Sequence, residues 1–260
     1  MSVDVYPPPL DKDYYQEIAA GNVTGVSPVN KFGAGNIPAG TTADVWDGSS
    51  VQAVYAFPTT ATITHIRQAT DQAAMRGETI QIQGLDANWD LVVQTADLDA
   101  TNTTTEVELT TPLLRVFRMK VHANVVISAN IWAGATGVAA ATAKAIIRDD
   151  HNQTLMAIYT VPAGKTAYMT QWYADNTPDA TKIPDSVKFD LRAADRAAGY
   201  EFQVKSQRGI SLQGAGFIHE FKPYLKFTEK TDIKILAKVV GSVGKDGNPH
   251  AGFDLILVDN

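Results

Sequence analysis

The stretch "ETIQIQGLDANWDLVVQTADL", Glu78 to Leu98, admits two readings with different consequences. Asp86, Asn88 and Asp90 alternate as D-x-N-x-D, the opening of an EF-hand calcium loop. Such a loop needs Gly at its sixth position and a bidentate Glu at its twelfth. Here those positions are Leu91 and Asp97, and no helical pattern flanks them. On either side the side chains instead alternate apolar and polar with period two, the mark of strands with one buried face. The segment therefore reads as a hairpin whose tip is held by Asp and Asn bonding to their own backbone.

That period recurs along the chain. "VKFDLR" (Val187–Arg192), "FQVK" (Phe202–Lys205) and "DIKIL" (Asp232–Leu236) alternate, and "FDLILV" (Phe253–Val258) is a denser run expected deeper in the core. Turn residues separate these segments at the intervals of a sandwich or jelly roll. "GATGVAAATAKAII" (Gly134–Ile147) has helical propensity but no apolar stripe, and reads as a loop entering a strand over Ala143–Ile147.

Landmarks repeat in the same order. Tyr55 and Pro58 of "VYAFPTTATITHIRQA" match Tyr159 and Pro162 of "IYTVPAGKTAYMTQWYA" at an offset of 104 residues. "TPLLRVFRMKV" after Thr111 parallels "KPYLKFTEKTDIKI" after Lys222 at an offset of 111. The expectation is an all-β protein of two consecutive β-sandwich or jelly-roll-like domains, residues 37–150 and 151–260, arising by internal duplication. The polar "RDDHNQ" (Arg148–Gln153) would be the linker.

Residues 1–36 differ and are expected to be an extended N-terminal arm. "YPPPL" is held extended by its prolines. Leu10, Tyr14 and Ile18 form one stripe of a short helix, with Asp11 or Asp13 as N-cap and Gly21 as the stop. "GNVTGVSPVNKFGAGNIPAG" reads as loop. The arm either folds back on its own domain or latches a neighbouring subunit. The candidate interface residues are Tyr6, Pro7, Pro8, Tyr14, Tyr15 and Phe32.

Composition narrows the function. The 260-residue chain is 45% apolar, enough for a substantial core, and has a net charge of −6 with no basic cluster, so no nucleic-acid partner is expected. It has no cysteine, which removes disulfides, thiolate metal sites and cysteine nucleophiles. "MSVDVYPPPL" lacks the form of a signal peptide, and no apolar run is long enough to span a bilayer, so no membrane partner is expected. The sequons at Asn22, Asn102 and Asn152 are then read as chance. His65, His122, His151, His219 and His250 stand apart without metal-ligand or general-base spacing. "GAGNIPAG" fits neither a dinucleotide fingerprint nor a P-loop, and no nucleophile elbow is present. No catalytic, cofactor or metal residue is nominated, and the chain reads as a non-enzyme without a small-molecule substrate. Trp46, Trp89 and Trp172 near turns could stack on sugar rings, although a β-domain of this size needs aromatics in its core.

Several stretches together resemble a family of virion structural proteins of tailed bacteriophages, common among marine phages. They are "GNVTGVSPVNKFGAG", "TADVWDG", "IQGLDANWD", "LLRVFRMKV", "NQTLMAIYTVPAGKTAYMTQWYA", "HEFKPYLKFTEKTDIKI" and "AGFDLILVDN". The likeness runs from about residue 20 to the C-terminus. "DQAAMRGE" is terser than the family's Gly/Thr-rich loop, and "YPPPLDKDYY" lies outside the match. The resemblance implies a homo-oligomeric head decoration or cement protein that binds and stabilises the capsid, located in the virion and assembled in the host cytoplasm. Its partners would be phage capsid or tail proteins and copies of itself. The alternative is a tail or fibre component recognising host-surface glycans.

Overall fold

The computed structural model describes residues 13–122, 125–177, 181–211 and 216–260. Regular structure begins with the short helix α1 (Tyr14–Ala19). Asp13 is its N-cap, accepting a hydrogen bond from the Tyr15 backbone N–H at 3.0 Å. Gly21, at φ 77°, closes it: Gly21 N–H donates to the Ile18 carbonyl and Asn22 N–H to that of Glu17, the double-bonded glycine cap.

Among the described residues, all regular structure after α1 is β apart from one 3-10 turn at Ala73–Met75. Before the middle of the chain come β1 (Val26–Ala34), β2 (Thr42–Asp44), β3 (Ile63–Gln68), β4 (Thr79–Leu85), β5 (Leu91–Asp97), β6 (Val107–Leu113), β7 (Arg115–Val121), β8 (Ile131–Gly134) and β9 (Ala145–Ile147). They are followed by β10 (Ile158–Thr160), β11 (Lys165–Asn176), β12 (Ser186–Asp195), β13 (Gln203–Ser211), β14 (Phe217–Phe227), β15 (Thr231–Val240) and β16 (Pro249–Asp259). The Glu78–Leu98 segment is the β4–β5 hairpin. At its tip Asp86 Oδ1 accepts from the backbone N–H groups of Asn88 (2.8 Å) and Asp90 (3.0 Å), so the D-x-N-x-D pattern is turn chemistry.

All strand pairs are antiparallel, and the sheet orders repeat. One sheet runs β6-β3-β8-β9 and the other of that half β5-β4-β7. In the second half β14-β11-β16 reproduces β6-β3-β8, and β13-β12-β15 reproduces β5-β4-β7. Each half thus carries six strands in the same arrangement, that of a jelly roll. What completes the second roll comes from an unexpected place.

The stretch expected to be loop, Gly21–Gly40, contains β1. Val26–Ala34 pairs over its whole length with His250–Val258 of β16, so this segment folds back on its own chain as the outer strand of a second-half sheet. β2 likewise adds to β15, at Leu236–Lys238. The first roll is completed by the chain that follows it directly: β9 pairs with β8, and residues 152–154 line the edge of β7 through Val121 N–H to Asn152 O (2.9 Å) and Thr154 N–H to Met119 O (3.0 Å). The segments that complete the two rolls cross at an antiparallel bridge between Trp46 and Met156. Ala157 N–H donates to Val45 O at 3.0 Å and Asp47 N–H to Leu155 O at 2.9 Å.

Two cores follow. One gathers Ile63, Ile66, Ile80, Ile82, Met119 and Ile131 together with Trp46; the other gathers Met169, Trp172, Phe189, Leu191, Ile235 and Phe253. The boundary between them is shared, because Leu85 and Phe117 from the first-half strands pack with the second core while Met156 and Ile158 pack with the first.

At the crossing there is no room for a side chain on β1. A Cβ on Gly33 would lie 2.4 Å from Ala157 N and 2.5 Å from Val45 O, both backbone atoms. Gly33→Ala is expected to destabilise the protein by about 1–3 kcal/mol through overpacking. Gly209→Ala on the exposed β13, whose added methyl meets nothing nearer than 3.8 Å, is expected to stay within ~0.5 kcal/mol of the parent. Paired urea unfolding curves check both values.

Candidate functional site

The sheet β1-β16-β11-β14 presents a continuous row on its outer face. Phe32 is paired with Gly252, Gly252 with Tyr173, and Tyr173 with Ile218, so one line of residues crosses all four strands. Directly paired residues project to the same face. Gly252 lets the row lie flat: a Cβ there would fall 2.5 Å from the Tyr173 hydroxyl. Asn30 Nδ2 donates to that hydroxyl at 3.3 Å and to Asp254 Oδ1 at 2.6 Å, which fixes the ring across the gap. Burial raises the pKa of the Tyr173 phenol, with the Asn30 bond pulling the other way and Asp254 adding to the rise. Ile218 is 72% exposed, unusual for an isoleucine in a strand.

Helix α1 sits against this sheet, with Ile18 buried and Tyr14 and Tyr15 exposed. Their rings meet edge to face at 6.3 Å. Tyr15 lines a depression of about 380 Å³ with Thr170 and Gln171 of β11 and Phe221 and Tyr224 of β14. Phe32 lines another, of about 320 Å³, with Tyr173, Asp175 and His250. Of the candidate interface residues, Phe32 thus lies in the sheet and Tyr14 and Tyr15 on the helix beside it, and Tyr15 and Phe32 line different depressions. Tyr6, Pro7 and Pro8 lie outside the described residues. Tyr173, Ile218 and Tyr224 were not nominated from the sequence. The alternation of "FIHEFKPYLKF" hints at Ile218, but only cross-strand register aligns it with Phe32.

Where the two rolls meet, the side chains are charged. Arg115 of β7 binds Asp232 of β15 through Nε (2.9 Å) and Nη2 (3.0 Å), and Arg196 Nε reaches the same carboxylate at 2.7 Å. Thr160 Oγ1 donates to Asp232 Oδ1 at 2.5 Å. The Arg115 guanidinium lies over the rings of Phe57 (5.1 Å) and Trp89 (5.0 Å). Lys234 Nζ donates to Asp44 Oδ2 at 2.8 Å, and the Tyr55 backbone N–H adds a bond at 2.7 Å. Burial raises the Asp44 pKa against the pull of Lys234. The carboxylates in this cluster are engaged by cations, and no two of them share a proton.

The tryptophans divide. Trp46 and Trp172 are wholly buried, and Trp89 is half-buried with Arg115 against its ring. Among the described residues no group of three or more His, Asp or Glu side chains could hold a metal ion. The described histidines bind locally, as where Thr64 Oγ1 lies 2.8 Å from His65 Nδ1 and Arg208 donates to His219 Nδ1 at 3.0 Å. Among the described residues no helix is long and apolar enough to cross a membrane.

Two predictions test this interior. Asp232→Asn leaves the Arg115 and Arg196 guanidiniums without a counter-charge and is expected to destabilise by about 3–5 kcal/mol in denaturant unfolding. Asp47 is buried beside the crossing, with Oδ2 accepting from Leu155 N–H at 2.6 Å, and burial pushes its pKa up from 3.8 to about 7. The folded state therefore holds this proton more tightly than the unfolded chain, so stability falls as pH rises from 3.8 to about 7. Asp47→Asn is expected to flatten that slope, read from unfolding midpoints at matched pH values; an unchanged slope would place the titration elsewhere.

No protein-family model matches the chain, and no curated protein does. Similar solved structures include that of the Gt strain of infectious bursal disease virus, at 10% identity over 90% of this chain and 73% of that one, with a TM-score of 0.23. The VP2 subviral particle of that virus matches at 8% identity over 91% and 72%, TM-score 0.23. T=1 particles derived from the infectious bursal virus match at 9% over 90% and 70%, TM-score 0.24. Likeness at this level carries no argument about the chain's role.

Proposed function

We propose that the chain is a non-enzymatic structural protein of a phage virion, a head decoration or cement protein that binds the capsid and stiffens it. The observation that carries the reading is the resemblance of "NQTLMAIYTVPAGKTAYMTQWYA" and "HEFKPYLKFTEKTDIKI" to the tailed-phage virion family. In this chain those segments supply β10, β11, β14 and part of β15, and so much of the second roll. Jelly rolls recur in viral capsid and lectin domains, so the architecture is compatible with this role without specifying it. The proposal includes descent of residues 37–150 and 151–260 from one duplicated unit, supported by their repeated sheet orders.

The row Phe32–Gly252–Tyr173–Ile218 and the tyrosines of α1 are the proposed contact surface with capsid subunits or further copies of the chain. A flat sheet face bearing exposed aromatic and aliphatic groups loses little conformational entropy on docking. The N-terminal arm, including Tyr6, Pro7 and Pro8, is proposed as a second point of attachment. The glycan-binding alternative is not favoured: of the three candidate stacking residues, Trp46 and Trp172 are buried and Trp89 faces Arg115.

Immunolabelling of purified particles is expected to place the protein on the head; label confined to the tail overturns the reading. Ile218→Asp and deletion of residues 1–20 are each expected to leave the β rolls folded, by circular dichroism, while weakening attachment to particles lacking the protein by tenfold or more. Attachment unchanged in both variants would remove this surface and the arm from the interface.

A further inference from the structure

Three lysine or arginine side chains are almost wholly buried among the described residues: Lys31, Arg115 and Lys234, at 4%, 3% and 5% exposure. Arg115 is matched by Asp232 and Lys234 by Asp44. Lys31 is not matched by any carboxylate. Its side chain runs from β1 to β7, where Nζ donates to the Phe117 carbonyl oxygen. An ammonium has three donors and this bond uses one. Taking such a charge out of water is costly unless an anion answers it.

Lys31 lies in the wall of a cavity of about 500 Å³ between β1 and the β4–β7 surface, within the size range of small-ligand sites. A second cation, Arg118, lines the same space and donates to the Asn30 carbonyl at 3.1 Å. So does Tyr159, which is 4% exposed and whose hydroxyl makes no hydrogen bond among the described residues. No acidic residue lines the cavity, while Leu91, Phe117 and Leu257 supply apolar wall. The cavity thus holds two positive groups, a free phenol and hydrocarbon, with the negative charge missing.

We propose that the cleft between β1 and β7 is a carboxylate-binding site in which Lys31 supplies the main positive charge, Arg118 a second, and the Tyr159 hydroxyl a further donor. Hydrocarbon next to the carboxylate packs on Leu91, Phe117 and Leu257. The carboxylate belongs either to a free small acid or to an Asp or Glu side chain of a second copy of this chain, which carries 28 acidic residues against 22 basic ones.

Proton linkage provides an independent signature. Burial first, and Arg118 second, bring the Lys31 pKa down from 10.5 to about 7, so Lys31 in the empty site loses its charge above neutrality and leaves Arg118 as the one cation of the cleft among the described residues. Facing Lys31 are Arg118 from β7 and Tyr159 from β10; on β16, Asp254 is turned to the other face of the sheet, where Asn30 and Gln171 hold it. Carboxylate binding is therefore strongest below pH 7 and weakens by up to tenfold per pH unit above it.

The test titrates the full-length protein with hexanoate, with hexan-1-ol as the uncharged control, by calorimetry at pH 6.5 and pH 8.5. Saturable binding of hexanoate and none of hexanol is expected, at least tenfold weaker at pH 8.5. Lys31→Met, which keeps the length of the side chain without its charge, should reduce affinity by tenfold or more, and Tyr159→Phe by several-fold. Equal responses to hexanoate and hexanol, or undiminished binding by folded Lys31→Met, overturn the proposal. Should Lys31→Met fail to fold, the Tyr159→Phe affinity and the pH comparison decide in its place. A concentration series by light scattering separates the two sources. Self-association that hexanoate reverses assigns the carboxylate to a second copy; a monomer that binds hexanoate assigns it to a free acid.

Discussion

The antiparallel crossing of Val45–Asp47 with Leu155–Ala157 governs the rest of the molecule. It is a small contact, but each crossing segment also belongs to the strands that complete a roll: β2 extends the sheet of β15, and residues 152–154 extend that of β7. The second roll has all its strands only with β1 and β2, which lie on the N-terminal side of the first, whereas the first is completed by β9 and residues 152–154 that follow it directly. Removing β1 would expose the edge of β16 along nine paired positions and leave its backbone donors and acceptors without partners. The second roll thus closes around chain from both sides of the first, while the strand order of the two repeats.

That arrangement explains the chemistry at the boundary. The crossing brings β1, β7, β10 and β15 close together, and the space between them is filled by bidentate pairing of Arg115 with Asp232 and by Lys234 with Asp44. Ion pairs of this kind add little net stability over an apolar filling, because desolvation offsets most of the attraction. They demand a particular geometry, though, and so discriminate against other ways of packing one roll on the other. Lys31 is the exception at the same boundary, a cation without a carboxylate partner among the described residues.

The outer face of the β1-β16-β11-β14 sheet shows the complementary economy. Gly252 removes a side chain in the middle of the row, Tyr173 lies over the space, and Asn30 holds its hydroxyl. The resulting surface is flat, aromatic and already ordered, which suits docking on another protein better than enclosing a reactant. The seam cleft is concave, charged and partly apolar, and suits a small acidic group. The two surfaces lie on opposite sides of β1, so a single strand contributes to both.

The sequence by itself determined what depends on neighbours a few residues apart. Period-two alternation marked β4, β12 and β15; Gly21 marked the end of α1, with Asp11 or Asp13 open as its cap; the Asp86–Asp90 pattern was a turn because position six of a calcium loop is Leu91. Each of these rests on local backbone geometry, which residues carry with them. Only the tertiary structure decided that Val26–Ala34 is a strand, since "VSPVNKFGA" contains Pro, Gly and Asn and becomes extended by pairing with β16. It also decided that Phe32 and Ile218, far apart in the chain, share a row, and that Lys31 is buried without a carboxylate. Register, burial and charge matching are properties of pairs brought together from distant parts of the chain, and no local pattern encodes which partner arrives.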